Sequence, residues 1–360
     1  MGDDAELCRR LIKNIESIIP LSPLIHQAFL SVPRRPFVPH YYIEQEGKWT
    51  LRDAGDEVYE DKPFITYLDN QGNIASSSSQ PSLMALMLEA LDLRRGQRVL
   101  EIATGTGYNA ALIASVVGEA GAVVTVDIEP VLVDAAREHL AAVGLEWISI
   151  HCGDGLCGYP ALAPYDRIIA TASCTSLPSA WSAQLATGGV LVMNLVSQFM
   201  SILVRLVKYD DGTFNGVTLP MPARFMKIRS LMPSDRSSRL TEKVSLKGIV
   251  PIDISDDLRW HLLNNQALMF YLHVAMPSLR HRLQYRDGPK QDYSSYDLYY
   301  YASDFLLVVS HNRVMALGSW QRLIDAYRQW EEYGRPDFGA YKVQIDTQGR
   351  PYFSLRNAGS

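Results

Sequence analysis

The stretch V-L-E-I-A-T-G-T-G-Y-N-A, Val99 to Ala110, decides the fold. Arg98 to Ile102 reads as a buried strand. It ends in a glycine-rich turn, and Tyr108 to Val117 then continues with helical patterning. Gly105 and Gly107 let the chain reverse tightly and leave no Cβ between backbone and ligand. The helix that follows aims its first N–H groups at whatever sits on the turn. A strand, a glycine turn and a helix in this order predict a nucleotide-type cofactor site at the carboxyl edge of a parallel sheet.

The residues leave two cofactors open. G-T-G-Y-N-A satisfies the dinucleotide pattern G-x-G-x-x-A, and Asp127 lies 20 residues past Gly107 (127 − 107), which fits NAD. Glu101, two residues before the turn residue Ala103, points instead to a ligand with cationic groups and no phosphate. S-adenosylmethionine (SAM) carries a sulfonium and an amino group. Asp127 ends the strand V-V-T-V-D and can accept both ribose hydroxyls, with Glu129 standing one register away. Asp154, in C-G-D-G after the next strand, can accept from the adenine amino group, and Gly155 lets the backbone close on the ring. Acids after three successive strands favour SAM. Tyr108 and Asn109, opening the helix, and Thr171, ending the fourth strand, complete the residues expected at the cofactor and the transferred methyl.

Outward from the turn, strands are expected at Ala122 to Asp127, Trp147 to His151, Asp166 to Thr171 and Gly189 to Leu195, with another near Ser201 to Val207. Helices are expected at Ser82 to Leu93, Pro130 to Val143 and Pro178 to Leu185. This alternation predicts an α/β, Rossmann-like fold: a mostly parallel sheet with helices on both faces. Upstream, V-P-R-R-P-F-V-P (Val32 to Pro39) holds three prolines that favour an extended segment, and residues 40–80 read as irregular and polar, ending in the serine run Ser76 to Ser79. Downstream, the pattern changes to a smaller α+β region. There Leu258 to Met276 is apolar with aromatics, Tyr296 to Val309 is strand-like, and Trp320 to Tyr333 is an amphipathic helix. Ala340 to Ile345 and Pro351 to Leu355 read as a hairpin around Thr347-Gln348-Gly349. The expected organisation is an N-terminal segment 1–60, a catalytic domain 61–210 and a C-terminal substrate-recognition region 211–360.

Lys and Arg number 34 against 39 Asp and Glu, a net charge of −5, which gives no global drive toward nucleic acid or anionic membrane. The longest apolar run, Gly189 to Val207, is broken by Asn194 and Arg205, so no membrane span is expected. Four cysteines suit a reducing, cytoplasmic setting. Cys152 and Cys157 lack partners at zinc spacing, and no metal is expected. Arg280, His281, Arg282, Arg286 and Lys290 form a basic cluster that could grip an acidic peptide, although a solvated face explains it as well. Trp320, Tyr327 and Trp330 fall at helical spacing and read as core packing.

With these motifs in hand, the chain resembles the protein-L-isoaspartate O-methyltransferase family from Val32 to about Leu195. The likeness rests on V-P-R-R-P-F-V-P, Y-E-D-K-P (Tyr59 to Pro63), S-S-S-S-Q-P (Ser76 to Pro81), the glycine turn, G-D-G, A-P-Y-D-R-I-I (Ala163 to Ile169) and T-G-G (Thr187 to Gly189). The resemblance implies a SAM-dependent carboxyl O-methyltransferase that releases S-adenosylhomocysteine. It makes Ser79 the active-site serine and adds Ser77, Ala103 and Ile128 to the cofactor contacts. Two motifs depart from the family: Ala103 replaces the usual first glycine, and Ser77-Ser78-Ser79 replaces T-I-S.

Repair enzymes of this family are expected to stop soon after the catalytic domain, whereas this chain continues for about 150 residues. The serine run and the segment Ser319 to Tyr341 look like a branch that works beside ATP-grasp (graspetide) or lanthipeptide enzymes. That likeness implies methylation of an aspartate in a cyclised, ribosomally made, acidic precursor peptide, with the ester collapsing to aspartimide or isoaspartate. Repair of isoaspartyl proteins is the alternative. A non-catalytic SAM- or peptide-binding module, suggested by Ala103 alone, is the third.

Overall fold

The computed structural model describes residues 3–196, 201–230, 247–285 and 296–356. Two helices open the chain, α1 (Asp4–Glu16) and α2 (Pro23–Ser31). Asp3 caps the first by accepting from the Ala5 N–H, and Ser22 caps the second by accepting from the Ile25 N–H. The proline-rich segment, expected to be extended, makes one 3₁₀ turn over Arg35–Phe37. Pro36 tolerates that turn because its first residues need no N–H.

Residues 40–80 are not irregular. They form a four-stranded antiparallel sheet of β1 (His40–Gln45), β2 (Lys48–Asp53), β3 (Phe64–Leu68) and β4 (Ile74–Ser78), in the order β2-β1-β3-β4. The β1–β2 reversal is a two-residue hairpin with Glu46 and Gly47 both at positive φ (52° and 76°). Glu in the first of those positions hides the turn from a sequence reading. The serine run becomes the edge strand β4 through its pairing with β3, Ile65 opposite Ser77 and Phe64 opposite Ser78. Tertiary pairing here overrides the low strand propensity of serine.

Next come α3 (Pro81–Leu91), β5 (Arg98–Ile102), α4 (Tyr108–Val117), β6 (Ala122–Asp127), α5 (Pro130–Ala141), β7 (Ser149–Cys152), β8 (Tyr165–Cys174), α6 (Ser179–Gln184), β9 (Leu185–Val196), β10 (Ser201–Lys208) and β11 (Phe214–Pro222). Strands β9-β8-β5-β6-β7 are parallel neighbours, so the chain leaves β5 in one direction to β6 and β7 and in the other to β8 and β9. The topological switch therefore falls between β5 and β8, beside the glycine turn. Strands β10 and β11 extend the sheet antiparallel. The strands β5, β6 and β8 are buried along most of their length, as a sheet covered on both faces requires.

The remaining elements are β12 (Val250–Ile252), α7 (Asp256–Asn264), α8 (Gln266–Ala275), β13 (Arg280–Tyr285), β14 (Tyr296–Ala302), β15 (Phe305–Val309), β16 (Val314–Gly318), α9 (Gln321–Glu332), β17 (Tyr341–Ile345) and β18 (Pro351–Leu355). The apolar run 258–276 is two helices, broken where Asn265 accepts from the Leu268 N–H and starts α8. Strands β12-β16-β15-β14-β13 make a separate antiparallel sheet. Its core gathers Leu262, Leu272, Tyr300, Leu307, Leu323 and Trp330, so the aromatic spacing on α9 is packing. The β17–β18 hairpin forms where expected but joins the central sheet, which runs β18-β17-β11-β10-β9-β8-β5-β6-β7.

The chain divides into two compact units. One holds 1–196, 201–234 and 343–352; the other holds 197–200, 235–342 and 353–360. Among the described residues no helix is long and apolar enough to cross a membrane.

Candidate functional site

The glycine turn is held from every side. Ala103 has φ of 72°, Gly105 53° and Gly107 83°. A non-glycine residue in that left-handed region costs roughly 1–2 kcal/mol, so Ala103 must be fixed by its surroundings. Its N–H donates to the Val126 carbonyl at 2.8 Å, and its carbonyl accepts from the Thr171 hydroxyl at 2.8 Å. Thr171 thus clamps the turn's backbone. Further along, the Gly105 N–H donates to Asp127 Oδ2 at 2.9 Å, and His139 Nδ1 donates to the Thr106 carbonyl at 2.9 Å.

Beneath the turn lies a buried polar network. Glu101 is 0% exposed; its carboxylate accepts from Asn109 Nδ2 at 2.7 Å and from the Thr125 hydroxyl at 2.6 Å. Thr125 also meets Thr104 at 2.7 Å. Burial pushes the Glu101 carboxyl up to about 7, against the two hydrogen bonds that favour its charge. Glu101, expected at the ligand, therefore supports the turn from below. Tyr108, also expected there, is buried against the rings of Phe37 and Phe29, 5.4 and 6.3 Å away between centroids. Its place in the first turn of α4, on the face packed against α2, explains the difference.

Above the turn, the carboxyl ends of β6 and β7 carry Asp127 and Asp154. Asp127 is 7% exposed. Its oxygens accept from the N–H groups of Gly105 and Glu129, and desolvation raises its pKa. Ile128 follows it in the same chain turn, half-buried. Asp154 caps a short 3₁₀ turn by accepting from the Leu156 N–H, and it also accepts from the Ser230 hydroxyl. A Cβ on Gly155 would lie 2.8 Å from Ile102 and 3.2 Å from Ile228, so packing alone demands glycine there. The Trp181 indole N–H fixes the Gly155 carbonyl at 2.8 Å.

The serine strand borders the same turn. A Cβ on Gly105 would sit 3.5 Å from the Ser76 hydroxyl and 3.8 Å from the Ser77 carbonyl. Along the strand, Ser76 and Ser78 are buried while Ser77 and Ser79 are half-buried, the period-two alternation of a pleated edge. Ser77 lies on the less buried face of the strand, and Ser79, also half-buried, follows its last residue.

Sequence reasoning missed the segment Phe225 to Ser230, which crosses the strand ends. Its backbone pairs with Ser173, Arg229 pairs with Glu129 and reaches the Ala75 carbonyl, and Ser230 reaches Asp154. It also missed Thr125, visible as the one polar residue before the closing acid of V-V-T-V-D, as well as His139 and Trp181, which carried no local signal. The basic cluster is less uniform than its sequence suggests. His281 Nδ1 lies 3.4 Å from His273 Nε2, and burial pushes its pKa down to about 4. Arg280 donates to main-chain carbonyls. Arg286 and Lys290 lie outside the described residues.

The donor set fits a SAM-type ligand. Asp127, at the end of β6, retains lone pairs beyond its bonds to the Gly105 and Glu129 N–H groups. The α4 N-terminus carries no side-chain cap, and the buried Asn109 Oδ1 has no hydrogen-bond partner among the described residues. The space beside Gly105 is bounded only at ordinary contact distance.

Comparisons with known proteins agree. The model of the family described as Protein-L-isoaspartate(D-aspartate) O-methyltransferase (PCMT) matches residues 5–230. A protein-L-isoaspartate O-methyltransferase of Ignicoccus hospitalis is 36% identical over 216 residues, 59% of this chain and 93% of that protein. A solved protein-L-isoaspartate O-methyltransferase superimposes with a TM-score of 0.60 at 25% identity, over 97% of this chain and 99% of that one. A structure from Plasmodium falciparum, described as a putative member in complex with S-adenosyl-L-homocysteine, shares the fold with a TM-score of 0.50 at 19% identity, over 64% of this chain and 99% of that one. The alignment over 97% of the chain corrects one expectation: length past the catalytic domain does not separate this chain from proteins bearing the repair enzyme's name. The chain belongs to the protein-L-isoaspartate(D-aspartate) O-methyltransferase family and is a SAM-dependent carboxyl O-methyltransferase.

Proposed function

We propose that the chain methylates the free carboxylate of isoaspartyl residues in proteins and peptides. The observation that carries this reading is the continuous family match over residues 5–230, which takes in both the serine strand and the glycine turn. The nucleophile needs no base, because a carboxylate of pKa ~3.9 is ionised at pH 7. Bound SAM supplies the electrophilic methyl group. Methyl transfer neutralises opposite charges, so a dry site that orients both partners does most of the work.

Ser79, half-buried at the end of the serine strand, donates its hydroxyl to one carboxylate oxygen and turns the other toward the methyl. Asp127 accepts from the ribose hydroxyls and Asp154 from the adenine amino group, while Ser77, Ala103, Gly105, Gly107, Ile128 and Gly155 form the backbone bed. Glu101, Asn109 and Thr171 keep that bed in shape. The ester then loses methanol when the next backbone nitrogen attacks it, a step that needs no side chain. Four free thiols suit a reducing compartment for this work.

Mass spectrometry tests the reading. The protein is incubated with SAM and a peptide in isoaspartyl and aspartyl forms. Gain of one methyl followed by loss of methanol, on the isoaspartyl form alone, is the expected result. The departure at Ser77-Ser78-Ser79 favours a second reading, methylation of aspartate in a cyclised, ribosomally made precursor peptide. Methylation of such a peptide, with the isoaspartyl form untouched, would replace the first reading by the second.

A further inference from the structure

Ser79 occupies a two-residue gap between elements. The pairing of β4 ends with Ser78 opposite Phe64, and α3 begins at Pro81, which has no N–H to offer. No strand partner therefore fixes Ser79. Its carbonyl is held instead by Arg34, whose Nη2 donates to it at 2.8 Å and to the Ser78 hydroxyl at 3.0 Å.

The other arm of the same guanidinium is anchored on a segment that precedes the serines in the chain. Arg34 Nη1 donates to the carbonyls of Val58 at 3.0 Å, Glu60 at 3.2 Å and Lys62 at 3.3 Å. Arg34 is 0% exposed, roofed by the Phe64 and Tyr108 rings at 5.1 and 5.9 Å from its Cζ. Burial pulls its pKa down to about 10, which leaves it charged at neutral pH. Asp61 acts on it only through space. Burying a cation is costly, and a lysine point charge cannot bridge two sets of carbonyls as a planar fork can. The charge is spent on main-chain oxygens of the segments flanking Ser79.

Resting on the reading that Ser79 touches the substrate, we propose that Arg34 is the positioning residue of this enzyme's serine. It sets the direction of the Ser79 hydroxyl by fixing the carbonyls of Ser78 and Ser79 against the rigid Val58–Lys62 segment. A displacement of an orienting group by about 1 Å can cost up to ~10²-fold in rate, so a loose Ser79 forfeits much of its value while the cofactor bed stays intact.

The test is a double-mutant cycle on the full chain, Arg34→Lys with Ser79→Ala. It reads kcat/KM on an isoaspartyl peptide, S-adenosylhomocysteine affinity and Tm. Arg34→Lys alone lowers kcat/KM about 10-fold, with cofactor-product affinity within twofold of wild type. In the Ser79→Ala background the same change costs less than twofold. Full additivity, or a wild-type kcat/KM for Arg34→Lys, overturns the positioning role. A wild-type kcat/KM for Ser79→Ala overturns the serine reading itself, a different failure. Should Arg34→Lys not fold, Ser78→Ala removes one acceptor of the fork. A loss of about 3-fold that vanishes beside Ser79→Ala supports the role, and an additive loss overturns it.

Discussion

The two walls of the site are built on different principles. The glycine turn is fixed by many short contacts from neighbouring strands: Val126, Thr171, Asp127 and the Glu101–Thr125–Asn109 network below it. The serine wall is paired with β3 along its strand, and its end is tied by one buried guanidinium 44 and 45 residues upstream of the groups it holds. The first arrangement is redundant, and no single contact carries it. The second rests on strand pairing up to Ser78 and, at Ser79, on the Arg34 side chain. Substitutions in the turn should therefore register mainly in stability and cofactor affinity, and substitutions at the serine wall in turnover.

The largest expected departure tests the network under the turn. Glu101 has its folded pKa raised from 4.5 to about 7, so the native state holds a proton that the unfolded chain releases. Stability from this group is complete below about pH 4.5 and falls as pH rises toward 7, by on the order of 3 kcal/mol. Glu101→Gln keeps an acceptor for Asn109 and turns an amide N–H toward Thr125, whose hydroxyl then accepts from it and can donate to Thr104. Its urea-derived stability should lose most of that slope, with a smaller slope of the same sign left by Asp127, whose pKa is also raised. An unchanged slope would place the titration elsewhere.

Next, Ser79→Ala should lower kcat/KM by about 10²-fold, equivalent to roughly 2.7 kcal/mol, and leave S-adenosylhomocysteine affinity within twofold by calorimetry. Asp127→Ala should do the reverse, weakening that affinity by ~10- to 30-fold through lost charge-assisted hydrogen bonds. If either variant moved both quantities alike, the two walls would not be separable.

The smallest effect comes from the turn's one misfit. Ala103→Gly relieves a left-handed alanine worth roughly 1–2 kcal/mol but adds about 0.5–1 kcal/mol of unfolded-state entropy. The net is a gain of about 0.5–1 kcal/mol, or a Tm rise of about 1–4 °C in the ligand-free protein. A fall in Tm would mean that the alanine methyl makes a packing contact worth more than the strain.

The same contrast explains what the sequence disclosed. The turn and the strands around it were legible because their signals are consecutive: an apolar run, then glycines, then a helix. The acids at 127 and 154 followed from strand ends. Glu101 was placed with the ligand because its position on β5 is visible in sequence, whereas the Thr125 and Asn109 partners that turn it inward are not. The serine run was read as part of an irregular segment because serine favours loops. Its pairing with β3 and its tie to Arg34 are long-range facts, and the hairpin at Glu46-Gly47 broke the usual turn composition. In V-P-R-R-P-F-V-P the prolines drew attention, while the residue that matters most for the serines was the first arginine.

The hairpin of β17 and β18 has a practical consequence. The strand bordering β11 on its outer side, β17, comes from residues 341–345, so a stop codon placed after residue 230 removes part of the central sheet. Such a truncation would leave the outer edge of β11 with unpaired amides and carbonyls, a template on which copies can add to one another. A soluble minimal enzyme would need both ends retained, with a short linker replacing the residues between 234 and 343.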